Sequence, residues 1–163
     1  MALTQVQGGM ILASGQSIPS AALPVGSVLQ VVNVVYATLA SSTTSTYVDT
    51  GLSASITPSS SSSKILILVD QGGCGKQTNN TRIKLQLLRG ASSIQVIDVG
   101  IGAFTNNTAT NFVGSISIAY LDSPATTSST TYKTQFASFA NNEGVYVQTD
   151  GTASSITLME IAA

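Results

Sequence analysis

The chain has no histidine, no tryptophan, one cysteine and four prolines, and only 8% of its residues are charged. Without histidine there is no ordinary general base, no imidazole metal ligand and no Ser-His-Asp triad, which removes most hydrolase chemistry. The lone thiol, Cys74, excludes an intrachain disulfide. Six Lys and Arg against seven Asp and Glu give a net charge of -1, without the basic footprint of a nucleic-acid binder. The longest apolar run, residues 28–40, is interrupted by Gln30, Asn33 and Thr38 and falls short of the roughly 20 residues that span a bilayer, so no membrane insertion is expected. The first residues lack a basic region and a sufficient apolar stretch, so no signal peptide is expected either.

What is present is hydroxyls and short apolar segments: Ser and Thr number 44 of 163 residues. Polarity therefore comes from groups that hydrogen-bond without repelling. Period-two alternation or continuous apolar character marks strands over Ser27–Tyr36, Leu52–Thr57, Lys64–Asp70, Arg82–Leu87, Ile94–Val99, Val113–Leu121, Tyr132–Phe139, Val145–Gln148 and Ser155–Ile161, and no stretch sustains a helical period. Loops are expected over Leu39–Thr50, Ser59–Ser63, Gly72–Gly75 and Gly102–Asn111, with turns at Arg89–Ser92, Asn141–Gly144 and Asp150–Gly151. Many short strands at this spacing predict an all-β, antiparallel jelly-roll or β-sandwich over residues 26–163. Residues 1–25, punctuated by Gly8, Gly9, Gly15, Pro19 and Pro24, read as an extended arm, whose Met10, Ile11, Leu12 and Ile18 are candidate docking residues.

The strands Ser27–Tyr36 and Lys64–Asp70 are apolar on both faces, so the sandwich is expected to be covered by copies of itself. Sparse charge points the same way, because it leaves sheet edges undefended. Leu29, Val31, Val35, Ile65 and Ile67 are the candidate subunit-interface residues. Among the loops, Tyr47, Asn106 and Asn107 are candidate exposed binding residues.

No cofactor, metal site or catalytic centre is expected. The seven carboxylates are scattered singly and read as turn caps, with no close pair for glycoside hydrolysis and no Ca²⁺ loop pattern. Gly72-Gly73-Cys74-Gly75-Lys76 lacks the first glycine and the final hydroxyl of a phosphate-binding loop. Cys74 reads as a small turn residue. For Glu160, the burial cost of a carboxylate favours Met159 and Ile161 as the core-facing residues; the alternative is a buried Glu160 paired with Arg82 or Arg89.

Several segments carry a family resemblance: Tyr120-Leu121-Asp122-Ser123-Pro124-Ala125-Thr126-Thr127, Thr131-Tyr132-Lys133, and Ser155 to Ala162. They are preceded in order by Gly26 to Val32, Gly51 to Pro58 and Ser62 to Leu66. Together they resemble the terminal domain of virion structural proteins of tailed phages. The resemblance implies a homotrimeric jelly roll, similar to tumour-necrosis-factor-like and complement globular heads, located on the virion. The short arm favours a capsid decoration protein or small appendage, docked on a larger phage capsid or tail protein. The alternative is a tail-fibre tip that recognises a host surface glycan or protein. A polysaccharide-cleaving enzyme would need a carboxylate pair that the spacing does not supply.

Overall fold

Alternating apolar residues can bury one face of a strand only against a second layer, and the computed structural model, which describes residues 23–77, 81–99 and 113–163, shows two antiparallel sheets doing so. The strands are β1 (Val28–Tyr36), β2 (Ala40–Ser42), β3 (Val48–Ile56), β4 (Lys64–Lys76), β5 (Ile83–Arg89), β6 (Ser92–Asp98), β7 (Val113–Asp122), β8 (Thr130–Ser138), β9 (Val145–Val147) and β10 (Ser154–Ile161). One sheet runs β3-β8-β5-β6. In the other, the long β4 pairs with β7 along one edge and with β10 and then β9 along the other, while β1 flanks β10 and β2 flanks β9.

Taking β1 with β2, and β9 with β10, as single interrupted strands leaves eight. Their order is first-eighth-third-sixth in one sheet and second-seventh-fourth-fifth in the other, the double Greek-key connectivity of a jelly roll. The all-β sandwich expected from the sequence is the observed architecture.

Inward positions follow the alternation. Ile65, Ile67 and Val69 of β4, Ile156 and Leu158 of β10, Leu52, Ala54 and Ile56 of β3, Leu87 of β5 and Tyr132 of β8 form one buried cluster. Cys74, Ile83, Leu85, Ile116, Phe136, Val145 and Val147 form a second. Each fully buried Leu or Ile here contributes roughly 1.5–3 kcal/mol.

Between the clusters lies a polar belt. The inward residues are Thr50 on β3, Thr134 on β8, Gln71 on β4 and Ser154 on β10, and all four are fully buried. Thr50 and Thr134 share a hydroxyl bond of 2.6 Å, Thr134 Oγ1 donates to Gln71 Oε1 at 2.9 Å, and Gln71 Nε2 donates to Ser154 Oγ at 2.8 Å. Buried hydroxyls and amides that satisfy one another avoid the penalty of lone polar burial and specify how the strands align.

In strand boundaries and turns the structure departs from the sequence expectation around Gly72–Gly75 and in the stretch before Gly51. Gly72–Gly75 is not a loop: β4 continues through it to Lys76, with a register shift between Gln71 and Cys74. A bulge accommodates the extra residues, and Gly73 takes a positive φ of 61° against the Gln148–Thr149 backbone, where a Cβ would collide. Cys74 is accordingly a core residue rather than a turn residue. The serine- and threonine-rich stretch before Gly51 contains β2 and the first three residues of β3, because backbone pairing with β9 and β8 overrides weak local preference.

Candidate functional site

Once the inner faces meet, each sheet has one face left, and the two remaining faces differ in chemistry. On the β3-β8-β5-β6 sheet the outward side chains bond laterally across all four strands. Ser93 Oγ donates to Gln86 Oε1 at 2.9 Å, Gln86 Nε2 to Gln135 Oε1 at 2.9 Å, and Gln135 Nε2 to Asp49 Oδ1 at 2.8 Å. Lys133 Nζ closes on the Asp49 carboxylate at 2.9 Å. Hydrogen bonds from Lys133 and Gln135 hold the Asp49 carboxyl below its usual range. Such a face is at ease in water.

The β1-β10-β4-β7 sheet presents the opposite. Cross-strand register places Val31 opposite Met159, Met159 opposite Leu66 and Leu66 opposite Leu121, an apolar row spanning the sheet. The adjacent row carries Asn33, Thr157, Leu68 and Ala119. Val31 is 56% exposed and Leu121 51%. On β4 the outward residues Lys64, Leu66, Leu68 and Asp70 set two apolar side chains between two charges.

The candidate interface residues divide accordingly. Val31 and Val35 are exposed and Leu29 is half-buried. Ile65 and Ile67 are a correction: both are fully buried inside the sandwich, because strand alternation turns them toward the second sheet and gives the outward positions to Leu66 and Leu68. The core-facing pattern of β10 is also corrected. Ile156, Leu158 and Glu160 point inward, while Met159 and Ile161 point out.

Glu160 is therefore buried, and its recorded partners are neutral donors rather than Arg82 or Arg89. Gln30 Nε2 donates to Oε2 at 2.6 Å, the backbone N–H and hydroxyl of Ser59 each donate to Oε1 at 2.7 Å, and the Ser63 side chain adds another bond. Burial pushes this carboxyl's pKa up, but the donors outweigh it and hold it below the ordinary glutamate value. Arg89 instead donates from Nη1 to both oxygens of Asp122, at 3.0 and 2.9 Å, and Tyr132 donates to Asp122 Oδ2 at 2.7 Å. This cluster ties β5 and β8 of one sheet to β7 of the other. Asp49, Asp122 and Glu160 thus lock strands together instead of capping turns.

Tyr47 is half-buried. The Lys84 ammonium lies 5.1 Å from its ring centroid and donates to the Ser45 carbonyl at 3.1 Å, so a cation stands over one face of the ring. Asn106, Asn107, Met10, Ile11, Leu12 and Ile18 lie outside the described residues. Burial, reinforced by Asp70 and Asp98, pushes the Cys74 thiol up to about 12, which makes it a poor nucleophile. Among the described residues no group of His, Cys, Asp and Glu is arranged to hold a metal ion, and no helix is long and apolar enough to cross a membrane.

The polar belt escaped the sequence reading although its signal was there. Thr134 sits between inward Tyr132 and Phe136, Gln71 two residues after Val69, Thr50 two before Leu52, and Ser154 two before Ile156.

Connectivity and layering place the chain among the jelly-roll sandwiches, the architecture of many viral capsid proteins. Comparison with solved structures agrees. The VP2 subviral particle of infectious bursal disease virus aligns over 82% of this chain at 11% identity with a TM-score of 0.52. A chain in the structure of the Gx strain of the same virus aligns over the same share at 9% identity with a TM-score of 0.48. This chain spans about a third, 32%, of either matched chain. No protein-family model and no curated protein matches the sequence.

Proposed function

We propose that the chain is a non-enzymatic structural module of a virion, built to self-assemble. The observation that carries this reading is the unequal pair of outer faces: one is saturated with its own hydrogen bonds, the other has an uncharged apolar row across four strands. A monomer rarely exposes contiguous apolar surface of that kind without a use for it. The fold shared with a viral capsid protein supports a place on the particle, and the sequence resemblance supports a tailed phage.

In this reading three copies form the unit, residues 1–25 anchor it to a larger capsid or tail protein, and the hydroxyl-rich loops face solvent. The role is a surface decoration or small appendage. The receptor-tip alternative receives no help from Tyr47, one face of whose ring Lys84 occupies.

Imaging labelled protein on intact particles tests the location, with regular sites on the head or at the tail as the expected result. Deleting residues 1–20 is expected to leave soluble trimers that no longer bind particles. Protein absent from purified particles overturns the virion role, and a truncated protein that still binds them overturns the anchoring role.

A further inference from the structure

We infer that the outer face of the β3-β8-β5-β6 sheet, at the end where β5 begins, is a docking site for an acidic peptide segment with aliphatic side chains, supplied by a protein other than this one. The site is independent of how copies associate and of where the module sits.

The lateral ladder of Ser93, Gln86, Gln135 and Asp49 stops one row short of that end. Tyr47 precedes Val48, which pairs with Phe136, while Lys84 pairs with Ala137, so Tyr47 and Lys84 flank Ala137 in the next row. The small Ala137 side chain does not separate them, and the Lys84 ammonium comes to 5.1 Å from the Tyr47 ring centroid. In the row beyond, Phe139 donates its backbone N–H to the Arg82 carbonyl at 2.9 Å, and the Arg82 guanidinium lies 3.7 Å from the Phe139 ring centroid. Two cations thus stand on neighbouring rows, each seated on a ring.

A ring holds a cation in place without cancelling its charge. Other cations of this sheet are closed by carboxylates, Lys133 by Asp49 and Arg89 by Asp122. Lys84 makes no ion pair among the described residues. Its hydrogen bond goes to the Ser45 carbonyl at 3.1 Å, which leaves its ammonium with N–H donors to spare. Of the acids toward this end, Asp98 is buried opposite Leu85 and Glu143 belongs to the turn after Phe139. A carboxylate arriving from solvent therefore meets Lys84 first, with Arg82 one row away.

The flanks of the site are apolar. Val96 lies opposite Gln86 on the edge strand β6, and Val96, Val99 and Phe139 are 46%, 52% and 48% exposed. A phosphate or a sugar acid gains nothing from them, whereas a peptide carrying carboxylates and aliphatic side chains covers both features at once. Arginine and aromatic side chains are also the residues that recur where proteins meet proteins. Four strands are about 19 Å across, the reach of roughly six extended residues. A second copy of this chain is a poor occupant, because its seven acids are scattered singly. Asp49, Asp122 and Glu160 are engaged in strand locks, and Asp98 is buried.

The experiment titrates the full chain into a fluorescently labelled peptide of alternating glutamate and valine in low salt and reads anisotropy, beside the glutamine-for-glutamate analogue and labelled polyglucuronate. The expected result is saturable binding of the acidic peptide, weakened about tenfold or more in the glutamine analogue and in Lys84→Gln. Lys84→Arg is expected to restore it, Val96→Ser with Val99→Ser to weaken it, and Lys64→Gln on the opposite sheet to leave it unchanged. Absence of saturable binding overturns the site. Equal weakening by Lys64→Gln and Lys84→Gln shows diffuse charge attraction instead of a site. Polyglucuronate that binds as tightly as the peptide, and is indifferent to the valine substitutions, makes an acidic glycan the occupant and overturns the peptide. Should Lys84→Gln lose its circular dichroism, the valine pair decides: unchanged binding there refutes the docking surface.

Discussion

Glu160→Gln removes one negative charge from a fully buried site and changes little else in shape, so its consequence can be worked out bond by bond. The new amide oxygen can keep both Ser59 donors, which reach Oε1 at 2.7 Å. The new NH₂ then faces Gln30 Nε2, donor against donor, where the wild type has a 2.6 Å bond. Gln30 cannot invert its own amide to help, because Nε2 also donates to the Thr57 carbonyl at 2.7 Å. One hydrogen bond to a charged acceptor is lost, worth about 1.5–3 kcal/mol. About 2 kcal/mol corresponds to a fall in Tm of roughly 4–8 °C for a chain of this length.

The gap depends on pH in a defined direction. The folded pKa of Glu160 lies below the ordinary glutamate value that it has in the unfolded chain. Its charge therefore stabilises the fold fully above that unfolded value, and the stabilisation is lost as pH falls through the folded pKa, since the unfolded chain takes up the proton first. Urea unfolding followed by circular dichroism, at fixed protein concentration from pH 7 to pH 3, is expected to show the two proteins well separated at neutral pH and converging in acid. A gap of unchanged size at pH 3, or none at pH 7, refutes the assignment of Glu160 as a buried, ionised strand lock.

Two other substitutions probe the interior. Thr134→Val leaves Gln71 Oε1 without the hydroxyl it meets at 2.9 Å, while Thr50 Oγ1 keeps the Thr134 carbonyl at 3.2 Å; a loss of about 1–3 kcal/mol is expected by urea unfolding, from leaving a buried polar group unsatisfied, and a neutral result contradicts a belt that matters. Gly51→Ala places a Cβ against the Tyr36 ring at a position whose φ is 89°; strain and collision together are expected to cost about 2–3 kcal/mol, read as a lower thermal midpoint, and an unchanged midpoint shows that Tyr36 can move aside at no cost.

Strand existence was legible in the sequence wherever alternation was clean. Ile83, Leu85 and Leu87 were read as inward and are buried, with Lys84 and Gln86 turned outward. The stripe of Ile116, Ile118 and Tyr120 packs against the core as expected. Reading failed where the pattern gave no parity. In Lys64–Asp70 every residue from Ile65 to Val69 is apolar, so the sequence does not distinguish the inward set, Ile65, Ile67 and Val69, from the outward pair, Leu66 and Leu68. In β10 a general rule about burying carboxylates outweighed the alternation, and it failed because Ser59, Ser63 and Gln30 converge on Glu160 from remote parts of the chain.

Short strands with little ionisable chemistry follow from the chain alone, because a period of two and the absence of histidine are local properties. Which outer face is polar and which carries an apolar row is settled only by the folded arrangement. That property belongs to rows, not to strands: Val31, Met159, Leu66 and Leu121 come from four separate segments and become one apolar surface only when cross-strand register sets them side by side.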